Sequence, residues 1–244
     1  MKNRILMKNH FLMKKLFLMK KIFLMKKKKL NIKFLDEKDN EKYFEEIKKL
    51  TNLPITTDVH ECAQCAKVAP YIDLVQIPAL LSRQTDLLIA AANTGLPVNI
   101  KKGPFMAPED MLYAIEKTRT QKFRGAIITE RGTSFGYNNL IADMRSLTIL
   151  KETSAPVIFD ASHASQYPTA LGSISGGDRR FTPILARAAV AVGVAGVFIE
   201  THPNPKHALS DSATQFPLDD LAHLIKQLIS LDRLIKVSPE KALI

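Results

Sequence analysis

From residue 55 onward, short β-branched and apolar runs alternate with longer stretches of helical period. The runs cover residues 55–59, 74–78, 97–102, 125–131, 156–162 and 196–201, each bounded by turn or helix signals. Between them, residues 82–94, 107–119, 138–151, 182–192 and 217–231 carry helical patterns. Ahead of the first run, Tyr43, Phe44, Ile47 and Leu50 fall at helical spacing within residues 36–50, with acidic residues toward the start. Strands that alternate with helices predict βαβ units and a parallel sheet. The runs are near-continuously apolar, which predicts a sheet covered on both faces.

Polar residues gather where each run ends: Asp58, His60 and Glu61; Gln76; Asn99, Lys101 and Lys102; Glu130 and Arg131; Asp160 and His163; Glu200 and His202. Chemistry at the carboxyl ends of parallel strands marks the active face of a TIM-type barrel. An open doubly wound sheet places its site at one switch point instead. Six loaded strand ends therefore predict an α/β chain with a TIM-type (β/α) barrel, incomplete at six of eight parallel strands.

Lys101 and Arg131 end neighbouring strands. Cations there suit a phosphate or carboxylate, and Arg can grip either with two parallel hydrogen bonds; structural ion pairing is the alternative. His163, Glu200 and Asp211 form a candidate metal set. One imidazole and two carboxylates suit a divalent cation of the Mn, Fe or Zn kind, while a hydrogen-bonded structural His is the plain alternative. Cys62 and Cys65 form a CxxC with no second pair to complete a zinc site, so both read as small buried helix residues. Gly176 and Gly177, within residues 173–180, precede a helix and predict either an anion-binding loop or a mobile lid.

Composition changes the picture in one respect. The chain of 244 residues carries a net charge of +11. Residues 1–34 hold 12 Lys or Arg and no acid, whereas the remaining 210 residues hold 23 basic and 24 acidic side chains. A basic folded face is therefore lacking, and nucleic-acid binding is not expected. Met1, Met7, Met13, Met19 and Met25 recur every six residues, a period that builds no fixed helical face. Residues 1–34 read as a low-complexity Lys-rich tail, with weak adhesion to an anionic membrane as the alternative. Residues 35–244 read as one domain. No apolar run reaches the roughly 18 residues of a membrane span. Two cysteines build no disulfide framework, which places the chain in the cytoplasm.

The stretches ITTDVHE (55–61), LVQIPALLSRQTDLL (74–88), VNIKKGPF (98–105), TERGTSFGYNNL (129–140), VIFDASHASQ (157–166), SGGDRRF (175–181) and ETHPNPKHALSDSATQFPL (200–218) resemble the 3-deoxy-D-manno-octulosonate 8-phosphate synthases. The resemblance is collinear over about residues 36–236, and TERGTSFGYNN and ALSDSATQ are closer to the metal-dependent branch. It implies a transferase that condenses phosphoenolpyruvate with D-arabinose 5-phosphate, supplying Kdo for lipopolysaccharide, in a homotetramer with no organic cofactor. By the same resemblance, Lys101 and Arg131 hold phosphoenolpyruvate, and Asp58, Gln76 and Asn99 line the site. Arg83 reaches a neighbouring subunit's pentose phosphate, and His163, Glu200 and Asp211 are metal ligands. Lys101, Asp58 and His163 are the residues assigned to catalysis. The family's first two strands, with a fourth metal ligand and a Lys-Ala-Asn-Arg-Ser-Ser loop, have no counterpart here. The chain is accordingly expected to be inactive or severely impaired, with a non-catalytic remnant that keeps phosphate binding or subunit contacts as the alternative.

Overall fold

The computed structural model describes residues 37–171 and 174–237, so the tail expected at 1–34 lies outside the described residues. In chain order the elements are α1 (Glu37–Thr51), β1 (Thr56–Asp58), α2 (Cys62–Val68), β2 (Leu74–Ile77), α3 (Thr85–Asn93), β3 (Val98–Lys101), α4 (Met111–Lys117) and β4 (Ala126–Glu130). A small hairpin follows, β5 (Thr133–Ser134) with β6 (Leu140–Ile141), then α5 (Met144–Glu152) and β7 (Val157–Asp160). A second hairpin joins β8 (Gln166–Leu171) to β9 (Ile174–Gly177), before α6 (Phe181–Val192) and β10 (Gly196–Phe198). Last come β11 (Thr201–His202), β12 (Phe216–Pro217) and α7 (Leu218–Val237).

Six strands form one sheet in the order β1-β2-β3-β4-β7-β10. Every pairing in it is parallel. These are the six predicted runs, each neighbouring the next in sequence, with helices as crossovers. That is the arrangement of an incomplete TIM-type barrel.

The two sheet faces differ in character. Side chains alternate across a strand, so Val75, Ile77, Val98, Ile100, Ile128, Val157 and Phe159 share the face that packs with Leu87, Leu88, Met111, Leu147 and Ala186 of the helices. The opposite face carries Gln76, Asn99, Lys101, Thr129 and Asp160, all buried. The expectation of near-continuously apolar strands is thus corrected: the helix-covered face is apolar apart from the Lys102–Glu130 pair at its end, and the other sets buried Ile127 and half-buried Ile158 among polar groups that bond to one another. Phe44 of α1 packs against the core, but Leu50 is 46% exposed, so the helix contributes a narrower apolar face than its spacing suggested.

Helix boundaries have local causes. Glu61 and Gln64 close a capping box at the start of α2. Asp143 accepts the Arg145 N–H and starts α5 at Met144, after the β5–β6 hairpin, whereas periodicity had predicted a helix from 138. α6 ends at Gly193, whose φ of +85° is left-handed. A Cβ there would meet nothing closer than 3.5 Å, so the expected penalty of Gly193→Ala is conformational. It should cost about 1 kcal/mol, read as a drop of a few degrees in thermal melting.

The paired cysteines separate. Cys65 is buried, as expected, whereas Cys62 is exposed, which corrects the expectation for that residue. Burial, with Cys62 nearby, pushes the Cys65 thiol up to about 11. Iodoacetamide should therefore label Cys62 alone in the native protein, and Cys65 only after unfolding; peptide mass mapping checks this.

Candidate active site

The polar face of the sheet begins with an amide belt. Asn99 on β3 donates to Gln76 Oε1 on β2 (3.1 Å), and Thr129 on β4 donates to Asn99 Oδ1 (2.7 Å). Both buried amides thereby gain partners across three strands.

Lys101 shares the Asn99 face, two residues closer to the strand end. Its Nζ lies 2.7 Å from Asp160 Oδ2 at the end of β7 and 4.1 Å from the centroid of the Phe198 ring. Asp160 is fully buried and also receives the His163 backbone N–H (2.9 Å) and His163 Nδ1 (2.6 Å). Burial alone would raise the Asp160 carboxyl. The hydrogen bond and charge of His163, followed by those of Lys101, outweigh it and hold the group at about 2.

With Nδ1 turned to Asp160, His163 presents Nε2 to Glu200 Oε1 at 3.4 Å. Glu200 follows β10. Asp211 lies farther along the same connection, in a turn with φ +52° closed by the Thr214 and Gln215 N–H groups on the Asp211 carbonyl. One ligand atom from each of His163, Glu200 and Asp211 lies within 4.8 Å of the other two. Burial, and then the neighbouring Asp211 and Asp160 carboxylates against the opposing pull of His163 and Lys101, leaves the Glu200 pKa raised. Gln215 donates to Glu200 Oε2 (3.1 Å), while its own Oε1 is buried without a hydrogen-bond partner. These residues fit a divalent cation. The donors are one oriented imidazole and two carboxylates, crowded enough that a positive charge would relieve them, and an orphaned acceptor lies alongside.

Arg131 extends from the end of β4. Glu130 Oε1 accepts the N–H groups of Arg131 (2.9 Å) and Gly132 (2.7 Å), which sets the turn there. The Arg131 guanidinium donates to Gln166 Oε1 (2.7 Å). Burial lowers its pKa, and Asp160, Asp211, Glu200 and Glu130 act against that loss. Arg131 therefore faces the same acidic cluster that Lys101 and His163 face.

The structure thus brings Lys101, Arg131, His163, Glu200 and Asp211 together, with Gln76 and Asn99 a step deeper along the polar face. It leaves two expected residues outside the cluster. Asp58 is exposed at the end of β1, 3.9 Å from His60 Nε2, and Arg83 is exposed between β2 and α3. The glycine-containing segment at 173–180, expected as a loop or lid, is corrected in part: its described residues from 174 to 177 form strand β9 of a hairpin. Sequence reasoning assigned no role to Asp160, Gln166, Gln215 or Phe198. Asp160 carried a usable signal, an acid at the end of an apolar run three residues before a His.

Fold and site define a parallel (β/α)-barrel protein with cations and a potential metal group at the carboxyl ends of its strands. A sequence profile described as the DAHP synthetase I family matches residues 7–237, and the chain belongs to that family. It is 55% identical over 197 residues to a 2-dehydro-3-deoxyphosphooctonate aldolase of Rhodopseudomonas palustris (strain BisB5), covering 80% of this chain and 69% of the relative. A protein of the same name from Nitrobacter winogradskyi is 55% identical over 80% of this chain and 68% of its own. Another, from Bradyrhizobium diazoefficiens, is 56% identical over 79% of this chain and 69% of its own. Among the described residues, no helix is long and apolar enough to cross a membrane.

Proposed function

We propose that the chain condenses phosphoenolpyruvate with D-arabinose 5-phosphate, giving 3-deoxy-D-manno-octulosonate 8-phosphate and inorganic phosphate. One observation carries this reading: two cations meet a His–Glu–Asp group at the strand ends of a chain 55% identical to named 2-dehydro-3-deoxyphosphooctonate aldolases. In the reaction, C3 of phosphoenolpyruvate bonds to the aldehyde carbon, whose oxygen takes a proton. Water adds at C2, and the C2–O bond to phosphate breaks.

Lys101 and Arg131 are assigned to the phosphate and carboxylate of phosphoenolpyruvate. Asp160 Oδ2 holds Lys101 Nζ at 2.7 Å, and Lys101 is the proton donor we assign to the aldehyde oxygen. Gln76 and Asn99 hold the reactants at the polar face, and Asp58 orients them from the rim. His163, Glu200 and Asp211 would hold a divalent cation of the Mn, Fe or Zn class, which would polarise the aldehyde carbonyl. Arg83, exposed outside the cluster, is assigned to the pentose phosphate of a neighbouring subunit in a homotetramer. We place the protein in the cytoplasm, where its two unbridged thiols are at home.

A second reading, a non-catalytic chain that binds phosphorylated ligands or an intact subunit, rests on a different observation. Among the described residues, no strand pairs with the outer edge of β1 or β10. Turnover separates the two readings. Phosphate release from phosphoenolpyruvate that requires D-arabinose 5-phosphate supports the synthase. Binding of phosphoenolpyruvate to the full chain without such release supports the second reading, and a chain that neither releases phosphate nor binds phosphoenolpyruvate or an intact subunit overturns both.

A further inference from the structure

We propose that Gln166 is a positioning residue that couples the anion-binding and metal-binding halves of the site. The inference deepens the functional reading above and rests on it.

Gln166 is 5% exposed and opens β8. Its side chain spans two groups of opposite charge. Oε1 accepts from Arg131 Nη2 at 2.7 Å, and Nε2 donates to Asp211 Oδ1. A primary amide has one end for each partner. The guanidinium has only donors and the carboxylate only acceptors, so the amide sits one way round. A shift of Arg131 toward a bound phosphate or carboxylate pulls on Oε1. A shift of Asp211 toward a cation pulls on Nε2. Neither partner moves without changing the geometry available to the other.

The backbone around Gln166 leaves it little room to escape this role. Gly177 pairs with Gln166 across the β8–β9 hairpin. A Cβ at Gly177 would clash with Thr214 Cγ2 and would lie 2.8 Å from the Ser165 carbonyl and 3.2 Å from Gln166 Cα. The missing side chain lets the hairpin close onto the 211–214 turn. Arg179, just beyond the hairpin, donates to the carbonyls of Ser212 (2.5 Å) and Ala213 (3.3 Å). Hairpin, amide and Asp211 turn are therefore braced as one unit, and Arg131 enters it through Gln166. The amide contributes no charge of its own, so its effect is on how the two halves feel each other rather than on either alone.

The test measures coupling by binding, not by turnover. Mn2+ affinity is measured by electron paramagnetic resonance of the free ion, with and without phosphoenolpyruvate. In the unaltered chain the two ligands should change each other's affinity by about five-fold or more. Gln166→Met, of similar length but without either hydrogen bond, should reduce that factor below about two-fold while each ligand still binds, a coupling of the kind a double cycle isolates. Gln166→Asn keeps the amide but is one methylene too short to reach both partners. It should lose the coupling in the same way, and it guards against a packing defect in the Met variant. Equal coupling in the unaltered chain and in either folded variant overturns the proposal, as does an unaltered chain that binds both ligands independently. A chain that binds neither Mn2+ nor phosphoenolpyruvate overturns the functional reading itself, and the relay falls with it.

Discussion

Glu130→Gln should destabilise the protein by about 3–5 kcal/mol, the range found when one partner of a buried ion pair is removed. Lys102 is 0% exposed and Glu130 1%, with Nζ 3.5 Å from Oε1. The ammonium also donates to the carbonyls of Gly103 (3.3 Å) and Met106 (3.1 Å) and to Thr133 Oγ1 (3.2 Å). None of these carries the negative charge that Glu130 supplies. The carboxylate in turn accepts two backbone N–H groups and the Ser146 hydroxyl (3.0 Å). Gln preserves the shape and some of these bonds but leaves the lysine charge uncompensated. Thermal melting should fall by roughly 10 °C. Adding Lys102→Met to the variant should recover most of the loss, because the charge that lacks a partner is then gone. A single variant that melts within about 2 °C of the unaltered chain would show that the pair contributes little.

The pH dependence gives this prediction a second handle. Burial lowers the Lys102 pKa below its ordinary 10.5, and Glu130 partly opposes the shift. Removing that opposition lowers it further. Between the folded pKa and 10.5, the unfolded chain holds a proton that the native chain does not, so stability rises with pH across that window. Glu130→Gln should therefore regain part of its lost stability, relative to the unaltered chain, as the pH is raised toward 10.5. The deficit should be largest below the folded pKa.

Adjacent lysines 101 and 102 show what the sequence displays and what it hides. Both were visible as cations at a strand end. Alternation along β3 sends Lys101 to the polar face with Asn99 and Lys102 to the helix-covered face with Ile100. A strict period-2 reading would have parted them. The six strands were legible because their apolar residues form the core against the helices, and burial of that face demands them whatever the opposite face does. The metal-type triad was visible as residue types only. His163, Glu200 and Asp211 are spread over 49 positions, and only the return of the chain through β10 and the 211–214 turn gathers them.

Neutral amides were the least legible. Gln166 and Gln215 matter through the orientation of a hydrogen bond, which leaves no mark of charge or spacing. The β8–β9 hairpin was hidden for a related reason. Gly176 and Gly177 resemble a turn in sequence, but Gly177 is glycine because Ser165, Gln166 and Thr214 leave no space for a Cβ. Asp58 and Arg83 mark the opposite limit. Their assignments came from resemblance alone, and within this chain neither is drawn into the cluster.

Asp160→Asn should weaken Mn2+ binding by 10- to 100-fold, the usual cost of losing a partner that orients a metal-ligating imidazole. The single Asp160 carboxylate receives His163 Nδ1, the His163 backbone N–H and Lys101 Nζ. An imidazole donating from Nδ1 keeps the Nε2 lone pair turned toward Glu200 and Asp211. Asn offers one oxygen where the carboxylate has two, and its NH2 points a donor either at the His163 backbone N–H or, in place of Oδ2, at the ring and the ammonium together. The ring then loses its preferred tautomer, and Lys101, 7% exposed in its side chain, retains the Phe198 face but no full counter-charge. Electron paramagnetic resonance of free Mn2+ measures the first effect. Phosphoenolpyruvate affinity without metal measures the second, because an unpaired Lys101 is freer to take an anion and binding there should hold or tighten. Opposite responses of the two ligands separate loss of orientation from general unfolding, which weakens both. An Asn variant that binds Mn2+ within about two-fold of the unaltered chain would mean that the Asp160 hydrogen bond does not set the His163 geometry.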